Sequence, residues 1–232
     1  MGYCLNGVNT GGVPLYIIKE FLNDIDIPVF IETGTAGGGS ILEASKLFKE
    51  CYTIEIDESR KIPVPKNVIQ LYGNSSDVLP KILDDLIESK GDVHENYRYA
   101  LFWLDSHFDG DKPEDSPYKD CYLLEELEII SRYSADSIIF IDDARLFMGY
   151  PPHPNNPKQW PTVAEIFSKF KEKFPYHFTT IVDDYIISFP DRLEWIYQRE
   201  WMARYKIRYP DEPEVIRNAA RLAYNSFIKY IQ

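Results

Sequence analysis

The sequence predicts an α/β fold built on an open, mostly parallel sheet, and three observations carry that prediction. The apolar run Ile27–Ile31 ends in the cluster Glu32-Thr33-Gly34-Thr35-Ala36-Gly37-Gly38-Gly39-Ser40, and a helical pattern follows at once through Leu42, Ala44, Leu47 and Phe48. Three later apolar runs also end in carboxylates: Tyr52–Ile56 at Asp57, Tyr99–Leu104 at Asp105, and Ser137–Ile141 at Asp142-Asp143. Two further strands, His177–Val182 and Tyr185–Phe189, flank Asp183-Asp184 and read as a closing antiparallel hairpin.

The elements then follow in order. Residues 3–12 read as loop. Pro14 opens a helix carrying Leu15, Ile18, Phe21 and Leu22 on one face. Strand one is Pro28–Glu32, the next helix runs from about Gly39 to Lys49, and strand two is Tyr52–Ile56. Pro63 and Pro65 keep the following stretch out of regular helix. Strand three is Val68–Tyr72, and helix Val78–Ser89 comes after Gly73-Asn74-Ser75-Ser76-Asp77. Tyr99–Leu104 is apolar throughout, as in a strand buried on both faces. A helix is expected over Tyr118–Tyr133 and another over Thr162–Lys173. Residues 191–232 give two helical stretches split by Pro210 and Pro213. A single domain over 1–232 is expected, with a leading loop and helix (1–24), a core (25–190) and a C-terminal helical extension (191–232) whose aromatic residues suit core cover or a homodimer face.

Composition narrows the partners. A net charge of −12 argues against a nucleic-acid surface, which needs a basic footprint. Cys4, Cys51 and Cys121 are odd in number and far apart, forming neither a zinc pattern nor a disulfide framework, so a reducing, cytoplasmic setting is expected. No apolar stretch is long enough to span a membrane.

In such a sheet, ligands sit at the carboxyl ends of the strands. Glycines after strand one let backbone N–H groups approach a ligand, and the helix N-terminus adds partial positive charge. The absence of a lysine after the glycines excludes a P-loop, and Ala36 departs from the dinucleotide fingerprint. Glu55 and Asp57 end strand two about twenty residues further on, where an acid can hold ribose hydroxyls. Asp105, Asp142 and Asp143 put three hard oxygen ligands on two neighbouring strand ends, which suits Mg²⁺ (or Mn²⁺), because buried adjacent acids need a cation or strong donors.

Together, E-T-G-T-A-G-G-G-S and Y-T-I-E-I-D resemble the class I S-adenosylmethionine-dependent methyltransferases, a Rossmann-like sandwich with a seven-stranded sheet. The resemblance covers about residues 13–190. It implies that Glu32, Thr33, Gly34, Thr35, Gly38 and Ser40 surround the methionine part of the cofactor, that Glu55 holds the ribose, and that Ser75 and Ser76 meet the adenine. Asp105 would border the cofactor as well. Serine or Asp77 as a plain helix cap fits the same stretch.

The placement of Asp105 and Asp142-Asp143 further resembles the divalent-metal-dependent O-methyltransferases of the sugar type and, more distantly, the catechol type. In the sugar enzymes an acidic residue two positions after the first metal ligand is the general base; here that position holds His107, an imidazole competent for the same work. The implied reaction is methyl transfer to a sugar or glycan hydroxyl, with small diols or catechols second. The proline-rich stretch 144–161 reads as a lid over the acceptor, with Arg145, Tyr150, His153 and Trp160 as acceptor contacts. A cofactor-binding scaffold and a nicotinamide-dependent oxidoreductase are the competing classes.

Overall fold

The computed structural model describes residues 3–5, 8–10, 12–89, 99–108, 116–133, 136–151, 153–199 and 201. By internal contacts the chain forms two compact units, one of residues 1–13 and 27–189, the other of residues 14–26 and 190–232.

The first unit holds the sheet. Its strands, in chain order after the short pair β1 (Tyr3–Leu5) and β2 (Val8–Thr10), are β3 (Val29–Thr33), β4 (Glu50–Glu55), β5 (Val68–Tyr72), β6 (Ala100–Leu104), β7 (Ile138–Ile141), β8 (His177–Val182) and β9 (Tyr185–Pro190). Seven of them form one sheet in the order β5-β4-β3-β6-β7-β9-β8. The five from β5 to β7 run parallel, and β9 is antiparallel to β7. The order reverses direction between β3 and β6, so their carboxyl ends border the crevice where open α/β sheets bind ligands. This is the seven-stranded, mostly parallel sheet with a closing hairpin that the sequence predicts.

Every residue of β3, β6 and β7 is buried, which explains their unbroken apolar runs. Alternate side chains leave a strand on opposite faces. On one face Val29, Ile31, Ile54, Phe102, Leu104, Ile139 and Ile141 join the apolar sides of three helices, here α3 (Ser75–Ser89), α4 (Leu123–Ile130) and α5 (Val163–Lys173). Helix α5 starts at a capping box between Thr162 and Glu165. On the other face Phe30 packs against Phe48, just beyond the short helix α2 (Gly39–Ala44).

The second unit contains α1 (Leu15–Asp24), begun by Pro14 as expected, and a helical stretch from residue 194. Arg199 joins the two by donating to Glu20 and Asp24. Residues 202–232, most of the extension expected to offer a dimer face, lie outside the described residues.

Three expectations are corrected. Tyr3–Leu5 and Val8–Thr10 form an antiparallel strand pair rather than plain loop. The helix expected from Tyr118 begins only at Leu123, because Asp120 is engaged elsewhere: its N–H donates to Gln159 Oε1 and its carboxylate accepts from the Asn156 N–H. The helix expected to reach Lys49 ends at Ala44, since Lys49 and Glu50 already turn their N–H groups to the Pro28 carbonyl. Among the described residues no helix is long and apolar enough to cross a membrane.

Candidate active site

One cavity of about 780 Å³ opens at the carboxyl ends of β3, β4 and β6. Its wall runs from Glu55, Ile56 and Ser75 to Asp105, His107 and Asp143. Gly34 lets these strand ends meet: a Cβ there would lie 2.1 Å from the Asp105 carbonyl oxygen, and the residue has φ of +88°. Only glycine tolerates both conditions. Ala36 takes a left-handed φ of 44°, so the turn bends as a glycine turn would, and its N–H faces Glu55.

Glu55 is buried with both oxygens tied to backbone donors. Oε2 accepts from Ala36 N at 2.8 Å and Oε1 from Asp57 N at 3.0 Å. A carboxylate oxygen has a second lone pair, so the same group can also accept from the hydroxyls of a cis-diol. The geometry fits a ribose ligand.

The other loop residues serve mainly to hold that turn. Glu32 is buried and accepts from Thr53 Oγ1 at 2.6 Å, while Thr35 Oγ1 lies 2.6 Å from the same hydroxyl. Burial pushes the Glu32 carboxyl up to about 8; the Thr53 hydroxyl opposes this, and the charges of Asp105 and Glu55 add to it. Thr33 is buried inside the sheet. Gly38 precedes α2 in a left-handed turn and Ser40 lies in its first turn. None of these five lines the cavity, whereas Gly34, Glu55, Ser75 and Asp105 do. Ser76 is turned to Asn74, whose Oδ1 accepts from both its N–H and its hydroxyl.

At the far end Asp105 and His107 follow β6, and Asp143 follows β7. One donor atom from each of the three lies within 4.8 Å of the others. His107 Nε2 is 3.2 Å from Asp143 Oδ2 and 3.9 Å from Asp105 Oδ1. Burial alone would lower this imidazole, but the Asp143 bond and the charges of Asp105, Asp143 and Asp142 outweigh it and raise its pKa. Burial likewise opposes ionisation of Asp143, yet His107 and Arg145 hold it below the usual carboxylate range. Two carboxylates and an imidazole on neighbouring strand ends fit a divalent cation.

Asp142 is not in that group. Asp143 has φ of 56°, and this left-handed turn carries the chain round so that Asp142 Oδ1 accepts from the Asp143 N–H at 2.8 Å. Burial, together with the charges of Asp105 and Asp143, pushes the Asp142 carboxyl up to about 8.

The four expected acceptor contacts do not line the cavity. The Arg145 guanidinium is paired with Asp143 and Asp184. Tyr150 and His153 are exposed. Trp160 is buried, donates from Nε1 to the Leu146 carbonyl, and meets the His107 ring edge-on. The proline-rich stretch is therefore a brace: Asn155 donates to the Phe108 carbonyl and Asn156 to Asp120, which fixes the segment before α4. That segment supplies two wall residues that periodicity alone assigns to a helix, Tyr118 and Tyr122; Pro117, Phe108 and Arg60 are further wall residues that sequence reasoning misses.

No family model and no curated protein sequence matches the chain. Solved structures are similar at low identity. Human methyltransferase-like protein 13 in complex with SAH is 13% identical, with 76% of this chain and 77% of that chain covered and a TM-score of 0.44. A protein of Streptococcus mutans described as a methyltransferase, also in complex with SAH, is 15% identical, with 77% and 98% covered and a TM-score of 0.45. The N-methyltransferase NodS from Bradyrhizobium japonicum is 8% identical, with 75% and 90% covered and a TM-score of 0.40. Likeness at this level carries no activity with it, and the chemistry rests on the residues of the cavity.

Proposed function

We propose that the chain transfers a methyl group from S-adenosylmethionine to an oxygen of a sugar or glycan diol, assisted by a divalent cation. One observation carries the reading. A single cavity is lined by the buried carboxylate of Glu55, held by backbone N–H groups, and by Asp105, His107 and Asp143, whose donor atoms lie within 4.8 Å of one another. The wall also weighs against a dinucleotide. Glu55, Asp57, Asp105 and Asp143 outnumber Arg60 and His107, so a pyrophosphate would be repelled while a sulfonium would be favoured.

In this reading Glu55 accepts from the ribose hydroxyls and Ser75 sits at the purine edge. The acceptor oxygen attacks the sulfonium methyl in line, the C–S bond breaks, and a neutral thioether leaves as the acceptor loses its proton. Asp105 and Asp143 would hold the cation, whose chemistry is to lower the pKa of an acceptor hydroxyl. The residues otherwise contribute by positioning, which accounts for much of the rate in such displacements. His107 is read as part of the cation set rather than as the base, because its Nε2 faces Asp143 and Asp105.

Methyl-labelled S-adenosylmethionine, offered with a panel of glycosides and catechols, tests the reading. Label is expected to reach a diol-bearing glycoside with Mg²⁺ or Mn²⁺ and to fall to background with EDTA. Asp143→Ala is expected to lose this transfer while keeping SAH affinity within about threefold, since Asp143 meets the cation and not the nucleoside. Equal transfer in EDTA would remove the cation from the mechanism, and transfer to catechols alone would move the acceptor class.

A further inference from the structure

We infer that His107, rather than Asp142, is the third ligand of the cation, and that its nitrogen turns the site from Mg²⁺ toward Mn²⁺. The inference rests on the cation reading above and specifies its donor set.

Other contacts orient Asp143 and His107 toward one another. Asp143 Oδ1 accepts from Arg145 Nη1 at 2.5 Å, and Arg145 is itself held by Asp184, so Oδ2 is the oxygen turned to His107. Asp142 is not among the side chains whose donor atoms converge here; its Oδ1 accepts from the Asp143 N–H, and the carboxyl is buried. The His107 ring is fixed by two aromatic neighbours: Phe147 lies 5.6 Å away and Trp160 5.4 Å, both edge-to-face. Those two rings stack on each other, and the Trp160 indole is tied to the Leu146 carbonyl. Packing thus sets the imidazole, with Nε2 turned to the carboxylates.

The spacing suits a shared ion. Neighbouring ligands of an octahedral cation with bonds of about 2.1 Å stand about 3 Å apart. His107 Nε2 and Asp143 Oδ2 already stand at 3.2 Å, while Asp105 Oδ1, 3.9 Å from Nε2, would have to move inward by about 1 Å. The resulting set is two single carboxylate oxygens and one imidazole nitrogen. Three ligands grouped in this way leave three positions of an octahedron, enough for both oxygens of a diol and a water. Mg²⁺ favours oxygen donors throughout; Mn²⁺ shares that liking for carboxylates but opens the transition series along which affinity for mixed nitrogen and oxygen sites rises. Mn²⁺ keeps the octahedral habit and accepts the nitrogen.

The test is Mn²⁺ titration of the full chain followed by electron paramagnetic resonance, with pulsed detection of ¹⁴N coupling. Wild type is expected to bind Mn²⁺ more tightly than Mg²⁺ and to show directly bound imidazole nitrogen. His107→Gln, which keeps the bulk against Phe147 and Trp160, is expected to lose the ¹⁴N signal and at least about tenfold in Mn²⁺ affinity. Asp142→Asn is expected to keep both. Bound Mn²⁺ without ¹⁴N coupling in wild type would overturn the inference, as would an equal loss in Asp142→Asn. Failure of the wild type to bind Mn²⁺ at all would overturn the cation reading and this inference together, while SAH binding would still decide the methyl-transfer reading separately.

Discussion

Gly34→Ala is expected to abolish SAH binding and to destabilise the fold. The added Cβ would meet backbone on the adjoining strand end, 2.1 Å from the Asp105 oxygen and 2.7 Å from its carbonyl carbon. No side chain can rotate out of the way. The two strand ends are also clamped there: Gly34 N–H donates to the Ile54 carbonyl and Asp105 N–H to the Thr33 carbonyl. Relief would have to come from moving Asp105 outward, which separates it from His107 and widens the cavity floor. Left-handed φ in a residue with Cβ costs roughly 1–2 kcal/mol, and overpacking costs roughly 1–3 kcal/mol more. Urea unfolding and SAH calorimetry on the same preparation check both effects. An alanine variant with wild-type stability and affinity would show that the strand ends are not joined as described.

The second large effect is a loss of stability as pH rises. Glu32 is 1% exposed and its carboxyl is raised to about 8, chiefly by burial. It is therefore protonated in the folded chain at neutral pH and ionised in the unfolded one. A raised folded pKa gives an acid a stabilising contribution that is complete below the unfolded value, near 4.5, and is lost as pH climbs toward 8. Every pH unit between the two values is worth about 1.4 kcal/mol, so the decline over this window amounts to a few kcal/mol. Glu32→Gln retains an acceptor for the Thr53 hydroxyl and removes the ionisation. Thermal or urea midpoints measured in EDTA from pH 5 to 8 are expected to fall steeply for wild type and less steeply for the variant. Asp142, Glu126 and His107, also raised, contribute slope that the variant keeps. Parallel curves for the two proteins would contradict the placement of Glu32.

Much of this is legible in the sequence for a simple reason. A parallel strand buried on both faces must be apolar along its whole length, so β3, β6 and β7 announce themselves, and the first polar residues after them fall at the ligand-binding edge. Glu55, Asp105 and Asp143 stand out by the same logic. Asp142 is misplaced by sequence alone because adjacent acids look equivalent until the left-handed turn at Asp143 separates their directions. The Tyr118–Tyr122 wall reads as helix because its apolar spacing continues that of α4, and the bonds from Asp120 to Asn156 and Gln159 that break the pattern join residues far apart in sequence. Bonds from Asn155 to Phe108 and from Asn156 to Asp120 likewise tie residues 144–161 to the segment before α4, which proline content does not reveal, since it reports stiffness and not which surface a loop meets. The β1–β2 pair has a local signal, Asn6-Gly7 between Leu5 and Val8, but three-residue strands are too short to show alternation.

The most direct test of the central claim is calorimetric titration of SAH into the full chain, first with Mn²⁺ and then with chelator. Saturable binding in the micromolar range under both conditions is expected, because Glu55 and Ser75 meet the nucleoside without help from the cation. The absence of binding under both conditions would contradict the claim that this cavity is an S-adenosylmethionine site.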